Sequence, residues 1–368
     1  MKRRCFIQAA LATASTAGIS AMGFTKEKES ASAVSNRLRI GFLGASHSHA
    51  TGKIKAVQES PDWELIGVCE EDKRLQAEYA KTGIPVLSQE ELLRRSQVVA
   101  VESDVQDHAR HAKLALSAGR HVHLEKPPAD TLEAFRELVS LACEKNLLLQ
   151  MGYMWRYNPG INAAVEAVRQ GWLGDVYLVR GTINTQLSAQ QRFEVARFPG
   201  GTLLELGSHL IDVLARLMGR ATKITSVLKT HGRFQDHLAD NTLAIFEFPK
   251  ALGIISSSTL QPRSGRYRCF EILGTQGTAI VNPIEPPGLV IDLAKPGGPY
   301  QAGLNTVPMP RYLRYVPEFA DLAVKIREGK KLAVSPEEDL LVQETLMRAC
   351  AATPSGSSSA PCCLGNGM

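Results

Sequence analysis

Short unbroken apolar runs alternate with helical stretches over the first part of the chain, and alternating apolar and polar positions take over later. Leu38-Arg-Ile-Gly-Phe-Leu-Gly44 reads as a strand buried on both faces, followed by a helix over Ala45–Ser60 and a second strand over Trp63–Cys69. Val98–Val101, His121–Leu124 and Leu147–Met151 supply three more strands. Helices are predicted between them over Asp107–Ser117, closed by Gly119, and over Thr131–Lys145. This succession is that of a parallel sheet with helical crossovers. Beyond it come a helix over Ile161–Gln170, a strand over Val176–Asn184 and a helix over Glu205–Met218. Alternation then marks strands at Ile224–Lys229, Thr242–Phe248, Leu252–Ser258, Arg268–Leu273 and Thr278–Val281. Residues 282–310, rich in Pro and Gly, read as a loop, and Tyr315–Arg327 and Glu337–Cys350 as closing helices.

The 368 residues exceed one compact core, so two domains are expected, over 37–155 and 156–350. A hydrophobic share of 44% and a charged share of 21% fit a globular protein. The net charge is +5, of which +3 falls in residues 1–33. The remainder is nearly balanced and gives no case for a nucleic-acid partner. Those first residues are distinctive. Arg3 and Arg4 precede a long, mildly apolar stretch that reaches Phe24, and Ala31-Ser-Ala33 has the form of a cleavage site. The segment resembles a twin-arginine export signal, so an exported, periplasmic protein is expected. The apolar run is too short and too interrupted for stable membrane association. Of seven cysteines, Cys69, Cys143 and Cys269 are expected as buried thiols, and no CxxC pair occurs. Residues 351–368 read as a disordered tail.

Candidate chemistry starts at the first strand–helix–strand unit. Gly44 allows a tight turn into a helix N-terminus, and Glu70 ends the second strand 26 residues later. That is the arrangement of dinucleotide binding: a helix N-terminus for the pyrophosphate and a carboxylate for the ribose. Glu70 favours NAD, while Lys73 and Arg74 leave NADP open. Reading GxGxxG from Gly44 places Ser46 and His49 at the second and third glycines. Ser46 can still donate to phosphate. His47 suits capping or phosphate contact, and His49 packing. With no third ligand near in sequence, no metal is expected. Glu125-Lys126-Pro127 follows the His121–Leu124 strand, at the edge where open parallel sheets bind ligands. Glu205 and His209 lie 80 residues and more beyond it, four apart and on one face of a helix.

Five stretches in this order carry a family resemblance: Ile40-Gly-Phe-Leu-Gly44; His108 with Ala118-Gly119; Glu125-Lys126-Pro127; Gly152-Tyr-Met-Trp-Arg-Tyr-Asn-Pro159; and Gly200-Gly-Thr-Leu-Leu-Glu-Leu-Gly-Ser-His-Leu-Ile-Asp212. The chain resembles the Gfo/Idh/MocA oxidoreductases over roughly Leu38–Cys350. The resemblance implies an α/β protein: a Rossmann domain, then an α/β domain with an open, mostly antiparallel sheet. It implies catalysis by Lys126 and His209 with Glu205, where relatives usually carry Asp, and a cis Lys126–Pro127 peptide. For the cofactor it implies Gly41, Gly44, Ser46, His47, Glu70, Ser103, His108, Glu125 and Lys126. Trp155 and Arg156 stand at the domain junction, either as a sugar-stacking face and a hydroxyl partner or as interdomain packing. Asp104 replaces a proline frequent in the family, and Asp212 is expected to brace its helix. The leading expectation is an NAD(P)-dependent oxidoreductase of a sugar, polyol or derivative, in a homo-oligomer, with a cofactor that stays bound after export. A redox-neutral lyase, glycosidase or epimerase that oxidises transiently is the alternative, and a non-catalytic sugar-binding protein the third.

Overall fold

The structure, a computed structural model, describes residues 36–351. The twin-arginine segment and the tail from 352 lie outside the described residues. Among the described residues, 37–351 belong to one compact unit.

Its first layer alternates strand and helix: β1 (Leu38–Leu43), α1 (Ala50–Glu59), β2 (Trp63–Cys69), α2 (Lys73–Lys81), α3 (Gln89–Arg95), β3 (Val98–Val101), α4 (Val105–Ser117), β4 (His121–Leu124), α5 (Leu132–Glu144) and β5 (Leu149–Met151). The five strands pair in parallel in the order β2-β1-β3-β4-β5. All four residues of β3 are buried. Val98 and Ala100 join one apolar cluster while Val99 and Val101 join the other, as a strand covered on both faces requires. Side chains cap four of the five helices: Asp72, Ser88, Asp104 and Thr131 each accept from first-turn amides. Helix α1 is the exception, with His49 at its N-cap and no side-chain cap.

The second layer comprises α6 (Pro159–Arg169), β6 (Val176–Asn184), α7 (Ala189–Ala196), α8 (Ser208–Met218), β7 (Lys223–Lys229), β8 (Asn241–Glu247), β9 (Leu252–Ser258), β10 (Cys269–Gly274), β11 (Gly277–Val281), β12 (Leu289–Leu293) and β13 (Gly303–Val307). Its eight strands run in the order β13-β12-β11-β10-β6-β9-β8-β7, antiparallel except for β6 with β9. Two of them correct the sequence expectation of a loop over 282–310. The prolines there all fall outside the strands, Pro283, Pro286 and Pro287 before β12, Pro296 and Pro299 between β12 and β13, and Pro308 and Pro310 after β13, and β12 pairs with both β11 and β13. Leu210 and Leu214 of α8 pack onto the sheet where Gly181 and Gly253 leave room.

Helices α9 (Val316–Glu328) and α10 (Pro336–Cys350) return to the first layer. Helix α9 packs against α1, and α10 against α5 and α8. Trp63 donates through Nε1 to the Phe319 carbonyl at 3.2 Å, and Gln343 through Nε2 to that of Ala129 at 3.0 Å. A division at 155/156 therefore separates the sheets but not the closing helices. Cys143 is exposed on α5 rather than buried, and Cys69 and Cys269 are half-buried. Among the described residues, no helix is long and apolar enough to cross a membrane.

Candidate active site

The carboxyl ends of β1, β3 and β4 meet the start of α8. Lys126 follows β4, joined to Pro127 by a cis peptide bond, and is fully buried. Its Nζ donates to Glu205 Oε1 at 2.9 Å and to the Glu205 carbonyl at 2.8 Å. Lys126 does not pair with Glu125. Leu203–Gly207 forms a π-helical turn ahead of α8, where an α-helix is expected from sequence. Such turns are wider than the α-helix and gather at functional sites. Burial opposes ionisation of Glu205, but Lys126 and His47 outweigh it and hold the carboxyl below its ordinary range. Glu205 thus serves Lys126, not His209.

His209 is 3% exposed, and its Nδ1 has no hydrogen-bond partner. Burial, helped by Lys126 and His49, holds its pKa well below the usual histidine value, so the ring is neutral. Tyr153 and Trp155 flank it, with ring centroids 6.2 and 5.2 Å away. For two candidate substrate contacts the structure shows the packing alternative. Trp155 is 1% exposed and donates through Nε1 to Glu285 at 2.9 Å, so it backs His209 rather than offering an open face. Arg156 is buried in an ion cluster, donating to Asp212 at 2.6 and 3.0 Å and to Asp339 at 2.6 Å. Asp212 also accepts from Arg216 one turn on, and so braces α8 as expected.

The β1–α1 loop is held from several sides. Gly44 donates to the Cys69 carbonyl at 2.7 Å, Ala45 to Glu70 Oε2 at 2.7 Å, and Tyr79 Oη to the Ala45 carbonyl at 2.8 Å. Gly44 has φ +70°, and a Cβ there would stand 2.3 Å from that of Ser103. Four expected cofactor contacts face elsewhere. A Cβ on Gly41 would meet Ser96 and Leu92, so that glycine serves the packing of α3. His108 is wholly buried, its two ring nitrogens 2.7 Å from the Pro127 carbonyl and 3.0 Å from that of Ser103, and it braces both loops from behind. Glu125 is 0% exposed and bound to Lys53 and His49. Glu70 accepts from Ala45, Glu71 and Asp72, so its first role is to fold the loop. Burial holds His47 at a pKa of about 3, a neutral ring. The remaining features suit a dinucleotide. The α1 N-terminus is uncapped, Ser46 is exposed beside it, and the buried Ser103 Oγ lacks a partner.

A buried charge cluster beneath the site escaped sequence reading. Lys53 Nζ lies 2.8 Å from Glu102 Oε1, 2.5 Å from Glu125 Oε2 and 3.0 Å from His123 Nε2. Burial disfavours its charge, but Glu102 and Glu125 outweigh this and hold its pKa above the ordinary range. Glu318 of α9 is buried beside them with neither oxygen hydrogen-bonded, and burial pushes its pKa up to about 8. One signal was available: Lys53 occupies an inward position of α1, among Ala50, Ile54 and Val57.

Two family models match this chain: "Oxidoreductase family, NAD-binding Rossmann fold" over residues 38–153, and "GFO/IDH/MocA C-terminal domain" over 161–280. Together they cover more than half of it. The chain belongs to the GFO/IDH/MocA oxidoreductase family. Among curated relatives, the chain is 28% identical to the trans-1,2-dihydrobenzene-1,2-diol dehydrogenase of Oryctolagus cuniculus, over 59% of this chain and 66% of that one. It is 26% identical to the levoglucosan dehydrogenase of Pseudarthrobacter phenanthrenivorans, over 48% and 52%. It is 28% identical to the D-glucoside 3-dehydrogenase of Escherichia coli, over 50% and 55%. The chain thus spans between about half and two thirds of the length of these relatives. Among solved structures, GenD2 from gentamicin A biosynthesis, in complex with NAD, superposes with a TM-score of 0.72 at 23% identity, over 85% of this chain and 93% of that one. The UDP-N-acetylglucosamine 3-dehydrogenase of Acidithiobacillus ferrooxidans gives 0.72 at 19% identity, over 85% and 96%. These likenesses concern the fold. Members of this family carry an NAD-binding Rossmann domain, and the sheet order and loop described above are that domain.

Proposed function

We propose that the protein oxidises a sugar, polyol or sugar derivative with bound NAD. The observation that carries this reading is Lys126, gripped by Glu205, beside a neutral His209 whose Nδ1 is free to take a proton. Bound nicotinamide supplies the hydride acceptor. His209 Nδ1 accepts the hydroxyl proton, and Lys126 Nζ holds the substrate oxygen as it becomes a carbonyl. Tyr153 Oη, buried and unpartnered, is a further donor for substrate. Two relatives are named for dehydrogenating levoglucosan and D-glucosides, which supports a sugar as substrate.

The test is to denature the purified protein and measure the small molecule released, then repeat with Lys126→Ala. Nicotinamide dinucleotide should leave both proteins, while the variant loses turnover on a sugar panel by at least about 10²-fold. An active, cofactor-free Lys126→Ala protein would sink the reading.

Arg3 and Arg4 favour a second reading, an exported enzyme whose cofactor returns its hydride within one cycle. It fits a compartment where free nicotinamide is scarce. Solvent deuterium at the carbon next to the oxidised one, in a product of unchanged oxidation state, distinguishes it from net oxidation. A homo-oligomer forms part of the same proposal and is measured by light scattering.

A further inference from the structure

The two histidines of the β1–α1 loop converge on a carboxylate that lies 76 positions beyond His49. Ligand atoms of His47, His49 and Glu125 all lie within 4.8 Å of one another. His49 Nδ1 and Glu125 Oε2 stand 3.2 Å apart. Two ligands of one tetrahedral ion, at bonds of about 2.1 Å, are separated by about 3.4 Å.

A hydrogen bond between His49 and Glu125 explains that pair by itself. It leaves two observations without a cause. Glu125 buries a second oxygen, Oε1, that has no partner. An interior carboxylate oxygen left unbound costs free energy unless something binds it. His47 crowds edge to face against His49, with centroids 4.7 Å apart, and its Nδ1 receives only a long 3.3 Å contact from the His49 amide. A cation held by the two imidazoles and by the Glu125 carboxylate through both its oxygens accounts for both. Lys53, 2.5 Å from Glu125 Oε2, then orients the carboxylate from behind, as partners of metal ligands do.

We propose that His47, His49 and Glu125 bind a divalent transition-metal ion beside the Lys126–Glu205 pair. Two imidazoles and one carboxylate suit zinc, manganese, iron(II) or cobalt rather than calcium or magnesium. Three protein ligands leave positions open, and the site borders His209, whose ring centroid is 6.4 Å from that of His49. A substrate hydroxyl or carbonyl oxygen is the class of ligand that would complete the shell. The histidine at the third glycine position of the fingerprint thereby gains a purpose. The inference goes beyond the oxidoreductase reading and is measured without turnover, so the two fail separately.

The experiment is a Co²⁺ titration of the untagged, chelator-treated full-length chain, followed by visible absorption in the absence of substrate. One cobalt per chain, with ligand-field bands of a nitrogen and oxygen site, is expected. His47→Gln and His49→Gln should each weaken it at least tenfold while keeping the wild-type circular dichroism and thermal transition. His237→Gln, at an exposed histidine outside the cluster, should leave it unchanged. Cys362 and Cys363 also offer thiolates. Thiolate-to-cobalt charge-transfer absorption that disappears in the double variant Cys362→Ser/Cys363→Ser would move the ion to the tail and overturn the proposal. So would failure to bind stoichiometrically, or binding that neither histidine variant alters.

Discussion

Lys126 and Glu318 are buried ionisable groups in opposite situations. Lys126 has two acceptors on one residue, the side chain and the carbonyl of Glu205. Glu318 has a carboxylate with neither oxygen hydrogen-bonded, and its pKa rises from 4.5 to about 8. A raised carboxyl pKa means that the folded state holds a proton the unfolded state has released. Stability from this group is therefore complete below pH ~4.5 and lost as pH rises towards ~8. The loss is on the order of a few kcal/mol. Glu318→Gln keeps the shape and removes the titration. Urea unfolding from pH ~5 to ~9 should show wild-type stability falling by a few kcal/mol more than that of the variant. Parallel curves would mean that Glu318 shares its charge with Lys53 in the folded protein at every pH.

The elements act by where they hold these residues. Helix α8 carries His209, and the π turn before it carries Glu205, so the seating of this helix on the sheet sets both against Lys126. That seating depends on Gly181 of β6, where an added Cβ would lie 2.8 Å from Leu210 Cδ1. Valine is a good strand residue, yet Gly181→Val should destabilise by about 1–3 kcal/mol, because the helix is pushed from the sheet. Turnover should fall further than stability alone predicts, as Glu205 moves off Lys126. Thermal unfolding and kcat on the folded protein measure the two effects, and unchanged kcat would mean that the helix position is not what aims the pair. Spacing alone made Glu205 and His209 neighbours on a helix face. Their different partners were decided by the π turn, which no local pattern announces.

Across the whole molecule, the two sheets are joined by buried ion clusters and by the returning helices. Arg156 ties Asp212 of α8 to Asp339 of α10, and α10 in turn packs on α5. Asp104, at the N-cap of α4, meets Arg197 just after α7 at 2.5 Å, a bridge from the first layer to the second. Removing one partner of a buried ion cluster leaves charge uncompensated, so Arg156→Leu should cost about 3–5 kcal/mol in urea unfolding. KM of the folded fraction should stay near wild type, since Arg156 faces the two aspartates. A large rise in KM with stability intact would return Arg156 to the substrate site.

Sequence by itself determined the parallel sheet, the dinucleotide loop at Gly44 and Glu70, and the lysine at the carboxyl edge. Each is encoded within a few neighbouring residues, through apolar periodicity, a glycine or a strand end. Tertiary structure decided what required residues far apart to meet. It hid Trp155 and Arg156, gave Lys126 to Glu205, paired β12 and β13, sank Lys53 among three carboxylates, and set Glu125 against His47 and His49. Burial and partner choice depend on what packs around a side chain. Apart from the β12–β13 hairpin, the chain brings those neighbours together from positions 49 (Lys53 and Glu102) to 265 (Lys53 and Glu318) residues apart, a distance at which local pattern carries no information.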